Sequence, residues 1–217
     1  MNTKITLAEI EAYIRKAARA VQLDWGMCEE AGKAARWLAA FDLPGPELML
    51  GHLQQVENKN YADFIPDCKQ SQWQSPANLI CPVIAGAALA DRSTQMLRGI
   101  QFELSNVAYP LLLAATVGQA ARYHQSVFTT SWVGVSISCF ENGISIEGNR
   151  DSLLLQQVEK VECRQNEGSA AQQLPSTMAY SLSLESWKEI DALAFRTYAP
   201  ATNESRAGAG AGLTDND

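Results

Sequence analysis

The fold is decided by one stretch of the chain, residues 127–148, which reads VFTTSWVGVSISCFENGISIEG. Apolar and polar residues alternate over residues 127–132, 135–140 and 144–147, which is the period of a half-buried strand. Asn142-Gly143 separates the last two segments, and this dipeptide is a strong signal for a two-residue hairpin turn. The stretch therefore predicts consecutive antiparallel strands.

Neighbouring segments extend this predicted sheet and add helices to it. Residues 100–104, 158–164 and 178–184 alternate in the same way. Pro110 opens an apolar helix through about His124, whose uncharged centre should be buried on all sides. Strands joined by hairpins, with helices before and after them, predict an α+β fold rather than a doubly wound parallel sheet.

The first sixty residues predict three helices. Residues 6–9, TLAE, form a capping box, and apolar side chains then recur at helical spacing. Asp24 is placed to cap a second helix. Pro46 suits the first turn of a third helix, which should run through about Val56. A further capping box at residues 186–189, SWKE, predicts a last helix.

These elements predict a helical lobe packed on a sheet lobe. We expect a three-helix lobe over residues 1–58, a polar connecting loop over 59–78, an antiparallel α+β lobe over 79–196 and an ordered C-terminal arm over 197–217. We expect the arm to fold back over the groove between the two lobes. The length of 217 residues is enough to bury a real core.

Composition restricts the classes of partner. A net charge of −7 disfavours nucleic acid and anionic membranes, because both require clustered Lys and Arg. The chain starts without a signal-peptide pattern, and its longest apolar runs are too short to span a bilayer. Five cysteines without a Cys-x-x-Cys pair predict reduced thiols and a cytoplasmic location. With only two histidines, we predict no metal site.

The candidate ligand-binding residues lie near the end of the chain. Arginines supply bidentate donors for a carboxylate or phosphate, hydroxyls supply further donors, and glycines allow close backbone approach to an anion. The candidates of these three kinds are Arg196, Tyr198, Ser205, Arg206, Gly208, Gly210 and Gly212. A flexible Gly/Ala-rich end with an acidic tip is the alternative interpretation.

Two further sets of residues are secondary candidates. Glu29, Arg36 and Trp37 share one face of the second helix with Lys33, and this face lines a cleft or is simply solvated. Asp215 and Asp217 offer oxygen atoms but too few for a closed cation site. No cofactor is predicted, because no helix follows the Gly-Ala run to complete a phosphate-binding loop.

Several short motifs of the sequence resemble those of a known family. They are LAEI at residues 7–10, KAAR at 16–19, WG at 25–26, EEAG at 29–32, ARWLA at 35–39 and the ending from residue 196 to residue 217. Together they are similar to a bacterial family known only as a domain of unknown function. The resemblance implies that the ending belongs to the folded unit, with its Tyr-x-Pro, Ser-Arg, Gly-Ala-Gly-Ala-Gly and Asp-Asn-Asp words as hallmarks. It implies no activity.

Two functions follow from these observations. The first is a small anionic metabolite site formed by the C-terminal arm, with catalysis left open. The second is an accessory or assembly role, in which the arm inserts into a partner subunit or a second copy of the chain. The ligand and the reaction are not predicted.

Overall fold

The chain is mixed α+β in a computed structural model that describes residues 2–166 and 177–198. Helices and an antiparallel sheet region are both present, as predicted. The described helices are α1 (Leu7–Ala20), α2 (Trp25–Ala40), α3 (Gly45–Val56), α4 (Pro82–Asp91), α5 (Ser93–Leu97), α6 (Leu111–His124) and α7 (Leu184–Phe195). The described strands are β1 (Asn2–Thr6), β2 (Gln72–Trp73), β3 (Phe102–Ala108), β4 (Val127–Trp132), β5 (Val135–Phe140), β6 (Gly143–Gly148), β7 (Gln157–Asn166) and β8 (Ala179–Ser183).

The larger sheet has six strands in the order β2-β3-β7-β4-β5-β6. All its neighbours are antiparallel except the short β2, which runs parallel to β3. The hairpin between β5 and β6 is present, but Phe140 pairs with Gly143, so its turn lies one residue earlier than the Asn-Gly signal indicates. This register places Cys139 opposite Ile144, and both are fully buried. A turn one residue later would pair Cys139 with Ile146 instead, and it would leave the same side chains on the buried face.

Helix α6 lies in the middle of the molecule. It packs on β4 and β5 on one side and on α2 and α4 on the other. Every residue from Leu111 to Gly118 is buried, which confirms the expectation for an apolar helix without charges. Helix α6 therefore lies between the sheet and the helices α2 and α4.

The N-terminal helices begin where their capping residues predict. Thr6 and Glu9 form a complete capping box, with the Glu9 backbone N–H donating to the Thr6 hydroxyl at 3.2 Å and the Thr6 N–H donating to the Glu9 carboxylate at 2.9 Å. Asp24 is the N-cap of α2, although its side chain makes no capping hydrogen bond. Helix α1 packs mainly on α2 and α7.

The last described elements pack on the N-terminal helices. Strand β8 pairs with β1 in a separate two-stranded sheet, with Ile5 opposite Tyr180, and α7 packs on α1. The N-cap of α7 is Ser183, whose hydroxyl accepts the Ser186 N–H at 3.0 Å. The helix therefore begins three residues before the predicted Ser186 cap, because the serine that closes β8 performs the capping. The lobe boundaries themselves stay a prediction.

Candidate functional site

A surface cleft of about 630 Å³ lies where α1, α2, α6 and the β5–β6 turn meet. Helix α2 supplies most of one wall, α6 supplies the floor and the β5–β6 turn closes one end. The lining residues are Leu7, Glu11, Lys33, Arg36, Trp37, Ala40, Phe41, Gly118, Gln119, Arg122, Phe140, Glu141, Asn142 and Gly143. Two of the secondary candidates from the sequence, Arg36 and Trp37, are among them.

The close approach of α2 to α6 is made possible by Gly118. A Cβ atom built on Gly118 would lie 2.2 Å from Cζ2 of Trp37 and 2.8 Å from its Cε2. The indole therefore rests directly on the backbone of α6. Its other neighbour is Phe41, whose ring packs at 4.7 Å between centroids and 60° between planes. Glycine in the middle of this buried helix thus positions the aromatic wall of the cleft.

Cations outnumber carboxylates on the cleft surface. Lys33, Arg36 and Arg122 line it, against Glu11 and Glu141. Arg36 Nη1 donates to Glu11 Oε2 at 2.7 Å, so this pair is mutually compensated. Arg122, in the last turn of α6, forms no ion pair with the residues that the structure describes. The cleft therefore presents one uncompensated guanidinium, although the chain as a whole carries a net charge of −7.

Lys33 is only partly available to a ligand. Its ammonium group donates to Glu30 Oε1 at 2.9 Å, and Glu30 does not line the cleft. The hydrogen bond from Lys33 to Glu30 raises the pKa of the lysine, so it stays charged at neutral pH. Since this ion pair is exposed, it contributes little to stability, and an incoming anion can compete for the ammonium group.

The primary sequence candidates that the structure describes lie away from this cleft. Arg196 donates to Glu57, at the end of α3, at 2.6 Å. Tyr198 is hydrogen-bonded to Lys16, whose ammonium group also lies 4.8 Å from the centroid of the phenol ring. Five residues separate Lys16 from Glu11 on α1, which places them about 140° apart around the helix. The third secondary candidate, Glu29, is exposed and does not line the cleft.

The remaining candidates fall outside the described residues. They are Ser205, Arg206, Gly208, Gly210, Gly212, Asp215 and Asp217. The predicted convergence of the arm on a ligand therefore stays a prediction. Within residues 2–166 and 177–198, no group of three or more His, Cys, Asp or Glu side chains is placed to hold a metal ion.

Sequence reasoning missed the half of the cleft that comes from α6 and the hairpin. Gly118 and Arg122 interrupt an otherwise apolar helix, and each carries a signal: a glycine inside a helix indicates close packing, and a lone charge at the end of a buried helix indicates an exposed edge. The contribution of Phe140 and Glu141 had no local signal, because it depends on the packing of β5 against α6.

Comparison with known proteins gives a match to one family model over part of the chain and no activity. Residues 5–79 match a family model described as "Protein of unknown function (DUF3726)", which confirms the predicted resemblance to a domain of unknown function. The match covers α1, α2, α3 and the segment that follows them. The motifs at the end of the chain, within residues 196–217, lie outside the matched residues. No curated protein matches the chain.

One solved structure is similar in part. The crystal structure of malate dehydrogenase from Entamoeba histolytica matches 67% of this chain at 9% sequence identity and a TM-score of 0.41. The chain spans 45% of the length of that protein. At this TM-score the likeness carries no argument about activity. Separately, no described helix combines the length and apolarity required to cross a bilayer.

Proposed function

We propose that the chain binds a small anionic metabolite in the cleft between α2 and α6. The observation that carries the proposal is Arg122, an uncompensated guanidinium at the edge of a cleft with aromatic walls. A guanidinium offers a planar pair of donors to a carboxylate or phosphate.

The charge distribution supports an anion rather than a cation. Glu11 is held by Arg36 at 2.7 Å, so it offers little attraction to a cationic ligand. Lys33 and Arg122 then face the cleft with only Glu141 as an opposing lining carboxylate. An anion that approaches gains Coulomb energy of about 1 kcal/mol or more per contact at surface dielectric values.

The aromatic walls support a ligand with a flat or apolar part. Trp37, Phe41 and Phe140 all line the cleft and all are half-buried, so each exposes part of its ring. Ligand sites are typically apolar cavities of roughly 300–1,000 Å³ with few polar groups that fix orientation. A cleft of about 630 Å³ with three rings and one free arginine matches this pattern. Benzoate is therefore a suitable first probe, with inorganic phosphate as the probe that lacks a ring.

The test is a thermal-shift titration of the full chain with benzoate and with inorganic phosphate. At a ligand concentration of about 100 times Kd, binding stabilises the folded state by about 2.7 kcal/mol. For a chain of this size, this corresponds to a rise in Tm of about 5–10 °C. Arg122→Gln should abolish the rise, whereas the matched control Arg98→Gln, an exposed arginine outside the cleft, should retain it. Equal shifts in both variants would contradict the proposal.

The same thermal-shift titration also tests the contribution of the C-terminal arm. We infer that Ser205, Arg206 and the Gly-Ala run add donors for the anion, as their chemistry suggests. Deletion of residues 207–217 should then weaken the thermal shift while the unliganded Tm is unchanged. Loss of the shift in Arg206→Ala but not in Arg122→Gln would favour a site on the arm alone.

An assembly role is the second candidate. Phe195 and Tyr198, where the described part of the chain ends, are 69% and 51% exposed, and such apolar exposure favours a contact surface. Here the arm would engage a partner subunit or a second copy. Deletion of residues 207–217 would then change the oligomeric mass, measured by light scattering, without any ligand effect. We also propose that the protein is cytoplasmic, which its five unpaired thiols support, and bacterial, which the resemblance to a bacterial family supports.

A further inference from the structure

A buried cluster around Cys81 is independent of the cleft. Cys81 is the N-cap of α4 and is fully buried. The hydroxyl of Tyr61 lies 2.8 Å from its Sγ atom, and Nε2 of His52 lies 3.2 Å from the same atom. The three residues come from α3, from the 3₁₀ turn Tyr61–Phe64 and from the start of α4. They are therefore brought together only by the tertiary fold.

Both side-chain neighbours of the sulfur can donate hydrogen bonds to a thiolate. A thiol has one hydrogen, so Sγ can donate to only one of its two side-chain neighbours and must accept from the other. After deprotonation, Sγ accepts from both. Burial lowers the pKa of His52 to about 3, so the imidazole is neutral and carries one N–H. Burial also raises the pKa of Tyr61, so the phenol keeps its proton and remains a donor.

The start of helix α4 adds two more donors. The backbone N–H groups of Val83 and Ile84 lie at the sulfur and lower the pKa of Cys81, as does the hydroxyl of Tyr61. Burial outweighs them and leaves the pKa of Cys81 at about 11. The helix N-terminus favours negative charge for the same reason that it binds anions.

Two buried polar atoms on α3 lack a partner among the described residues, and one of them belongs to His52 itself. These atoms are Nδ1 of His52 and Oε1 of Gln55. They lie three positions apart on α3, so they occupy the same side of the helix. Buried polar groups without partners are costly, and in folded proteins they point to chemistry beyond packing.

The other buried thiols of the chain lack such a donor set. Cys28 donates to the carbonyl of Leu23, and Cys139 donates to the carbonyl of Ala114. Each of these carbonyl acceptors favours the protonated thiol. Cys163 contacts a single hydroxyl, that of Thr130 at 3.4 Å, and burial raises its pKa to about 12. Since the thiolate is the nucleophile, equal burial with different neighbours should give different reactivity.

We propose that Cys81 is the buried thiol of this chain that small hydroperoxides oxidise selectively, with His52 and Tyr61 as donors that stabilise its thiolate. In this step the Cys81 sulfur attacks one peroxide oxygen, an S–O bond forms and the O–O bond breaks. The sulfur loses two electrons and the peroxide gains them. The departing hydroxide takes the proton that the thiol released, so the products are a sulfenic acid and water.

The route to Cys81 restricts the oxidant to small molecules. Cys81 and His52 are fully buried, whereas Tyr61, whose hydroxyl contacts the sulfur, is only half-buried. We expect hydrogen peroxide, which is close to water in size, to reach the sulfur during local opening of the structure around Tyr61. Larger thiol reagents should react with Cys81 only after unfolding.

The test compares cysteines within the same molecules. The reduced full chain is treated with hydrogen peroxide for timed intervals, quenched with catalase and unfolded in iodoacetamide. Mass spectrometry of the peptides then gives the thiol remaining at each cysteine. Only Cys81 among the buried thiols has both a phenol hydroxyl and an imidazole within hydrogen-bond distance of its sulfur, so we expect it to be oxidised about ten times faster than Cys28, Cys139 and Cys163.

A single variant separates the effect of the hydroxyl donor on the thiolate from the access of the oxidant to the sulfur. Tyr61→Phe keeps the aromatic ring but removes the hydroxyl, so oxidation of Cys81 should slow about tenfold while that of Cys163 stays constant. Equal rates at Cys81 and Cys163 in the wild-type chain would overturn the proposal. A wild-type rate at Cys81 in Tyr61→Phe would also overturn it. The comparison within the wild-type chain requires no variant, so it remains decisive if Tyr61→Phe folds poorly.

Discussion

Replacement of Gly118 by alanine tests the contact that builds the cleft. The added Cβ would lie 2.2 Å from Cζ2 of Trp37, far inside the distance that real Cβ atoms show. Either the indole or α6 must move. Because α6 is buried between the sheet and the other helices, we expect the half-buried indole of Trp37 to move outward, into the cleft.

The magnitude follows from two opposed effects. Overpacking of this kind costs about 1–3 kcal/mol. Alanine in a helix interior gains about 1 kcal/mol over glycine. We therefore expect Gly118→Ala to lower the free energy of unfolding by about 1 kcal/mol. In a Trp37→Ala background the clash is absent, so the same change should raise the free energy of unfolding by about 1 kcal/mol, a coupling of about 2 kcal/mol.

Urea denaturation followed by circular dichroism gives the free energy of unfolding of the wild type, of the two single variants and of the double variant. Gly26→Ala is the matched control, since a Cβ there meets nothing within 4 Å. It should be neutral or stabilising in both backgrounds. If Gly118→Ala destabilises the protein equally with and without Trp37, the proposed contact between α6 and the indole is wrong.

Two further predictions concern carboxylates. The hydroxyl of Tyr180 donates to both oxygens of Glu47, at 3.0 and 3.2 Å, and the pKa of Glu47 is raised by burial and lowered by this bond. Tyr180→Phe should therefore cost about 1 kcal/mol at pH 7, where the half-buried carboxylate loses one of its donors. The cost should be smaller near pH 4, where Glu47 is protonated, and chemical denaturation at both pH values checks this. Glu11→Gln should change the free energy of unfolding by less than about 1 kcal/mol, because the ion pair between Glu11 and Arg36 is exposed. The same variant should bind benzoate roughly three times more tightly, because one carboxylate is removed from the cleft. Calorimetry measures this change in Kd.

The elements that local chemistry determines were predictable from the sequence. The capping box of α1, the uncharged helix α6 and the alternation in β4 and β5 each depend on residues within a few positions of one another. Their boundaries follow the predictions closely. The β5–β6 hairpin was also expected, and only its turn lies one residue earlier than predicted.

Elements that depend on distant partners were not predictable in this way. Strand β1 has a single buried residue, Ile5, and exists because it pairs with β8 near the other end of the described chain. The cleft is similar: Trp37 lies on one helix, while the glycine beneath it and the arginine beside it come from another. Single-sequence reasoning recognised the stripe on α2 but had no means to identify the helix that it faces.

The most direct test of the anion-binding cleft is an NMR titration of the five tryptophan indole N–H signals with benzoate. The signals are assigned by single Trp→Phe variants, and each tryptophan outside the cleft serves as an internal control. The cleft predicts a saturable shift at Trp37 that disappears in Arg122→Gln. A shift at Trp187, which packs against Tyr13 at 4.6 Å on the side where Tyr198 meets Lys16, with none at Trp37 would contradict it.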